Sequence, residues 1–168
     1  GTGKTTVVSN LAALADNPVL ADCDVDAPNM HLLLKPEIEE SINYEGAKIA
    51  VKDQDKCTDC GTCFEVCRFG AITEDYEVNA FKCDGCSVCT EMCPEDALKM
   101  VKQETGKIFI SKSKFGPMVH ARLYAGAENS GKLVSEVRNR ANEVAEQEER
   151  DLILIDGSPG IGCPVIAS

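Results

Sequence analysis

The chain has 168 residues, with 28 Asp and Glu against 17 Lys and Arg, and a net charge of −11. That length buries one good core with room for a small inserted module. The acidic balance and the lack of any Lys/Arg-rich run argue against nucleic acid as the main partner. No stretch reaches the roughly 20 apolar residues that span a bilayer. The sequence opens on Gly1 inside one motif and runs on past another at its end, so it reads as a piece cut at both ends.

The first six residues, Gly1-Thr2-Gly3-Lys4-Thr5-Thr6, read as the second half of a phosphate loop. Such a loop needs Gly so that backbone N–H groups approach the phosphates, Lys for the β/γ oxygens and a hydroxyl for Mg²⁺. Gly3, Lys4 and Thr5 supply these at the positive end of a helix predicted over 5–15, with Val7, Leu11 and Leu14 on one face. Asn17-Pro18 ends that helix. Val19 to Cys23 reads as a buried strand with the acids Asp22, Asp24 and Asp26 after it. One of these is expected to orient an attacking water or to touch the metal. Asp24 is the first choice for the water, with Asp22 nearer the metal. A strand returning after a helix implies a parallel sheet. Cys23 reads as simply buried, and His31 and His120, without metal spacing, as structural or surface residues.

Residues 47–53 are predicted as a further strand, after which the composition changes. Eight of the ten cysteines fall into two runs of C-x2-C-x2-C-x3-C: Cys57, Cys60, Cys63, Cys67 and then Cys83, Cys86, Cys89, Cys93. This is the ligand spacing of two 4Fe-4S clusters, the fourth Cys of each run serving the other run's cluster. Cluster one is therefore assigned Cys57, Cys60, Cys63 and Cys93, and cluster two Cys83, Cys86, Cys89 and Cys67. Zinc needs only paired CxxC units, and disulfides suit these spacings less well. Arg68 stands where the second run has Pro94. An internal repeat offset by 26 residues is visible, each half expected to be a cluster loop followed by a short helix. The implied compartment is a reducing cytoplasm.

A strand is predicted again at 108–111. A polar helix comes next over Leu133 to Glu149, with Leu133, Val134, Val137, Ala141 and Val144 as its apolar face. Ser130 or Asn129 is a candidate cap, and Asn129-Ser-Gly-Lys132 reads as a helix start facing a partner or a loop. Leu152 to Ile155 is a continuous apolar run, predicted for the centre of a parallel sheet. Asp156 ends it and is a candidate for Mg²⁺, through water. The Asp156-Gly-Ser-Pro-Gly-Ile-Gly162 loop lies where open α/β sheets bind ligands, with Gly160 and Gly162 free to change dihedral around a γ-phosphate. Cys163 is read as a core residue rather than a ligand for a further cluster. Residues 53–101 are thus expected as an insertion between two parts of one α/β domain, 1–52 and 102–168.

These motifs together resemble the MinD/Mrp-like P-loop ATPases that carry an inserted bacterial-type 2x4Fe-4S ferredoxin domain. Gly1 to Thr6 is similar to the second half of that group's phosphate loop, Asp22 to Asn29 to its first switch, and Asp156 to Gly162 to its second, with Ser158 where Pro is usual. The resemblance implies an α/β fold of the SIMIBI, MinD-like P-loop NTPase class, with a mostly parallel sheet and an α+β ferredoxin-type insert. It implies ATP, Mg²⁺ and two 4Fe-4S clusters as cofactors, and nucleotide-dependent homodimers or heterodimers with a paralogue. It places Gly1, Thr2, Gly3, Lys4, Thr5, Thr6, Gly160 and Gly162 around the nucleotide, with Thr6 on the α-phosphate. Lys4 and Asp24 take part in hydrolysis, and Thr5 and Asp156 hold Mg²⁺. The expected function is an ATPase whose nucleotide state gates electron transfer, or docking of an unidentified redox partner protein, through the clusters. The alternatives are an ATP-dependent cluster assembly or carrier protein, and a plain ferredoxin on an inactive ATPase frame.

Overall fold

The computed structural model describes residues 3–127, 130–160 and 162–168. In chain order the elements are α1 (Lys4–Leu14), β1 (Val19–Asp22), α2 (Met30–Leu34), β2 (Glu37–Tyr44), β3 (Ala47–Lys52), α3 (Thr62–Val66) and α4 (Val88–Glu91). Then come β4 (Leu98–Gln103), β5 (Gly106–Ser113), β6 (Gly116–Leu123), α5 (Ser130–Gln147), β7 (Ile153–Asp156) and α6 (Cys163–Ala167). They divide into two compact units, Gly1–Tyr44 with Thr105–Ser168, and Glu45–Glu104.

In the first unit a five-stranded sheet runs in the order β2-β5-β6-β1-β7. β1 pairs in parallel with β6 and with β7, whereas β5 is antiparallel to both β2 and β6. The sheet is therefore mixed, which corrects the expectation of a mostly parallel one. The tight connection β5–β6 and the return of β2 against β5 form antiparallel pairs that need no crossover helix. β7 is an edge strand among the described residues, not the centre of the sheet, and three of its four residues are only half-buried.

Alternation along the strands sends side chains to two faces. Val19, Ala21, Val119, Ala121 and Ile108 pack against Leu133, Val134, Val137 and Ala141 of α5. Leu20 and Met118 point the other way, onto Ala12, Met30 and Leu34 of α1 and α2. The apolar face expected for α5 is the one it buries, each large side chain stabilising by about 1.5–3 kcal/mol. For α1 the expectation fails. Val7, Leu11 and Leu14 are exposed, and Val8 and Ala12 carry the packing. The outer strand β2 is almost wholly exposed, kinked between Ile38 and Glu40, and lined by Glu37, Glu39 and Glu40, which discourage pairing with another chain. Gly116, at φ 148°, lies against the Pro18 carbonyl, where a Cβ would come within 2.1 Å of the oxygen.

The second unit is built on the antiparallel pair β3–β4, registered from Ala47↔Gln103 to Lys52↔Leu98. It is wider than the Cys-rich stretch 53–101 by these strands. The short helices α3 and α4 lie inside the cysteine runs, between the second and fourth Cys of each, and not after them as expected. After the fourth Cys the chain turns into Ile72 in one half and into β4 in the other.

Candidate functional site

The cysteine-rich unit repeats itself in three dimensions. Asp59 and Gly85 both have positive φ, as do Gly61 and Ser87, each pair separated by the 26-residue offset. Gly61 and Ser87 sit at the N-termini of α3 and α4 in the left-handed region. Such turns aim successive N–H groups into a concavity, the arrangement that receives anionic clusters. At the fourth Cys of each run the pattern repeats again: the Ala71 amide donates to Cys67 Sγ at 3.4 Å, and the Ala97 amide to Cys93 Sγ at 3.3 Å.

Two cavities result, each with a volume of about 20 Å³ and open on one side to solvent. Site one is lined by Cys57, Cys60, Cys63 and Cys93, and site two by Cys83, Cys86, Cys89 and Cys67. Each thus takes three sulfurs from one run and the fourth from the other. Among the described residues, no three Cys, His, Asp or Glu are gathered tightly enough to hold a single metal ion. Four sulfurs around an open space suit a cluster held at its corners and do not suit zinc. Burial pushes up the thiols of Cys63 and Cys89, while hydrogen bonds from Thr62, its hydroxyl first, hold Cys60 down toward the thiolate. All eight cysteines are free of disulfides.

Residues 50–73 and 76–99 each match the 4Fe-4S binding domain. The chain carries a two-repeat, ferredoxin-type 4Fe-4S domain. The two repeats support two 4Fe-4S clusters in this part of the chain. The chain is also 36% identical, over 171 aligned positions and its whole length, to an uncharacterized protein of Methanocaldococcus jannaschii. It spans 59% of that relative's length. No described helix is long and apolar enough to cross a membrane.

Away from the ferredoxin-type domain, the sheet unit gathers the other expected residues at one end. Gly3 caps α1 in the left-handed region at φ 84°, and Lys4 opens the helix, exposed, with Thr5 half-buried behind it. Thr6 is exposed, and its carbonyl accepts from Asn10. α1 packs on β7. Asp22 and Asp156 stand side by side in register at the carboxyl ends of β1 and β7, both buried. Their roles differ. The two oxygens of Asp22 accept from the amides of Asp24 and Met30, tying down the loop that leaves β1. Burial lifts its carboxyl to about 6, opposed by those amides and reinforced by Asp156. Oδ1 of Asp156 is buried with no partner. Asp24 accepts from the Ala27 amide; burial raises its carboxyl, Asp156 adds to this, and Lys4 opposes it.

Gly160 has φ 100°, and Gly162 caps α6. Gly1 and Thr2 lie outside the described residues, as do Asn129 of the helix-start motif and Ile161 of the loop. Ser158, which in sequence stands out only for replacing a Pro, donates its hydroxyl to the Cys23 carbonyl and so fastens the loop after β7 to the end of β1. Cys23 is buried, its thiol pushed up to about 12 chiefly by that burial. Cys163 is exposed, which corrects its reading as a core residue. Its Cβ lies 3.0 Å from where a side chain on Gly131 would begin, so it sits against the first turn of α5. His31 and His120 stack at 5.9 Å, and His120 stacks in turn on Phe109 and bonds Ser111, a structural column.

Proposed function

We propose that the chain is part of an ATPase whose nucleotide state gates electron transfer through the two clusters. The observation that carries the reading is Asp156. It is a buried carboxylate at the end of a parallel strand with one oxygen unpartnered, packed beside the helix that opens on Gly3-Lys4-Thr5. An orphaned buried oxygen is costly unless something meets it, and a hydrated Mg²⁺ is the group whose chemistry suits it. Gly3 and the first turn of α1 would receive phosphate, Lys4 and Thr5 would contact its oxygens and the metal, and Asp24 is free to orient a water on its exposed side. The fold class that accords with this is the MinD-like P-loop NTPase, with the ferredoxin-type domain as its insert and a redox protein or a second copy as its partner. Ser158 links the loop after β7 to the end of β1, so a ligand at Asp156 would bear on both loops at once.

The test uses the full chain, loaded with iron and sulfide and reduced without oxygen, with and without Mg²⁺-ATP. Nucleotide is expected to bind and to move the cluster EPR signal or its midpoint potential. Lys4→Ala and Asp156→Asn each remove a charge-assisted contact worth about 1.5–3 kcal/mol, so binding should weaken about ten- to a hundredfold. A chain with eight iron atoms that ignores ATP, or whose signals are identical with and without it, would end this reading while leaving the electron-transfer domain intact.

A further inference from the structure

The two cluster sites match in their ligands and differ in several of the side chains around them. With the 26-residue offset applied in both directions, twelve of the fourteen positions lining site one correspond to positions lining site two. Lys52 corresponds to Val78, Thr62 to Val88, and Tyr76 to Ala50. In each pair site one holds the polar side chain and site two the apolar one.

Net charge does not distinguish the sites. Site one is lined by Lys52, Asp59 and Glu95, and site two by Asp84 alone, so each has a side-chain charge of −1. Lys52 is moreover paired with Glu77 at 2.8 Å, its own side chain only 6% exposed. The sites differ in donors and polarity, and in Asp59, whose Oδ1 lies 3.4 Å from Cys57 Sγ where the second repeat has Gly85. Thr62 Oγ1 is 3.5 Å from Cys60 Sγ, whereas Val88, at the matching place beside Cys86, has nothing to donate. Tyr76 packs its hydroxyl end against Gly61, at 3.5 Å from where a Cβ would stand, in the turn that carries site one. Ala50, its counterpart in site two, has no polar atom on its side chain. The backbone donors to Cys67 and Cys93 are matched, so they cancel in the comparison.

Hydrogen bonds to cluster sulfurs and the polarity around them set the potential of a 4Fe-4S centre, because each stabilises the more negative, reduced form. We propose that the protein holds its two clusters at different potentials, site one the higher, through side chains that break the symmetry of the repeat. A first electron, delivered by an external one-electron donor, rests at site one, and a second at site two. No bond forms or breaks and no proton needs to move. Electrons entering at site two thus run downhill to site one, which gives the domain a direction. Thr62 is the principal tuning residue, and Lys52 and Tyr76 contribute the polar surroundings. The inference rests on the electron-transfer reading of the domain and is independent of nucleotide gating.

The experiment is an EPR-monitored redox titration of the cluster-loaded full chain, with dithionite as the electron source and no nucleotide present. Thr62→Val and Val88→Thr are near-isosteric exchanges that move the hydroxyl from one site to the other. Two midpoints are expected in the parent protein. Thr62→Val should lower the upper midpoint and leave the lower one in place; Val88→Thr should raise the lower one and leave the upper in place. A single shared midpoint, unmoved midpoints in both variants, or Thr62→Val acting on the lower one would overturn the proposal. If Thr62→Val fails to load, Val88→Thr alone decides the matter. Fewer than eight iron atoms in the parent protein would overturn the two-cluster reading itself, and the proposal with it.

Discussion

The two units stand on different physics. The sheet unit buries apolar side chains on both faces of its strands, with Val19, Leu20, Met118, Val119 and Leu133 all fully enclosed. The ferredoxin-type unit, Glu45–Glu104, encloses only Ala50, Ala71, Ile72, Ala97 and Leu98, three of them alanines. Ordering a residue costs about 1–2 kcal/mol, and alanines return little of it. Eight thiolates meeting two clusters replace the missing core, as metal ligation does in other small domains whose folding is coupled to binding. On this comparison the sheet unit is expected to fold from its sequence pattern and the ferredoxin-type unit to depend on its clusters.

The strongest way to break that contrast is to strip the iron. Chelation under reducing conditions should abolish amide protection across β3, β4, α3 and α4 while β1, β5 and β6 stay protected, as read by hydrogen exchange. Equal protection of both units after stripping would show that the small core suffices. Next in size is a cavity in the sheet unit. Leu133→Ala removes a fully buried side chain from the α5 face and should cost about 2–5 kcal/mol, measured as a lower unfolding midpoint for the sheet unit, with eight iron atoms still bound. Loss of iron in that variant would mean the two units are not energetically separate.

A smaller effect sharpens the comparison by pH. Burial, then His31 and Arg122, holds His120 down at about 4 against 6.5 for an ordinary His. The fold therefore favours the neutral ring. Its contribution is fully present above pH 6.5 and is lost as the pH falls through about 4, a total on the order of 3 kcal/mol. His120→Gln, which can still bond Ser111, should flatten the fall in denaturant midpoint of the sheet unit between those pH values. An unchanged slope would assign acid sensitivity to other groups.

Some elements were legible without a structure. The apolar stripe of α5 and the runs at 19–23 and 152–155 announced themselves by periodicity and length. β6 did not, although Pro117, Met118, Val119, His120 and Ala121 are all buried. A Pro at its start and a His in its middle hid a central strand, and only the pairing partners on both sides explain it. β2 and β4 were missed because acids and lysines fill their exposed faces. The helix positions in the cysteine runs were misplaced by half a motif, since a four- or five-residue helix has no periodicity to read.

At the functional ends the division is similar. Cysteine spacing was enough to expect two clusters with crossed fourth ligands, and the same eight sulfurs line the two cavities in that division. The glycine, lysine and aspartate positions of the other site were equally plain as residue types. How the surroundings of the two carboxylates differ showed only in three dimensions. Neighbouring amides take both oxygens of Asp22 and leave one oxygen of Asp156 bare. The asymmetry of the cluster sites also waited for the fold. Lys52 and Tyr76 lie 24 residues apart in sequence, yet they line the same cavity, because Lys52 reaches the Asp75 carbonyl and the Glu77 carboxylate on either side of Tyr76.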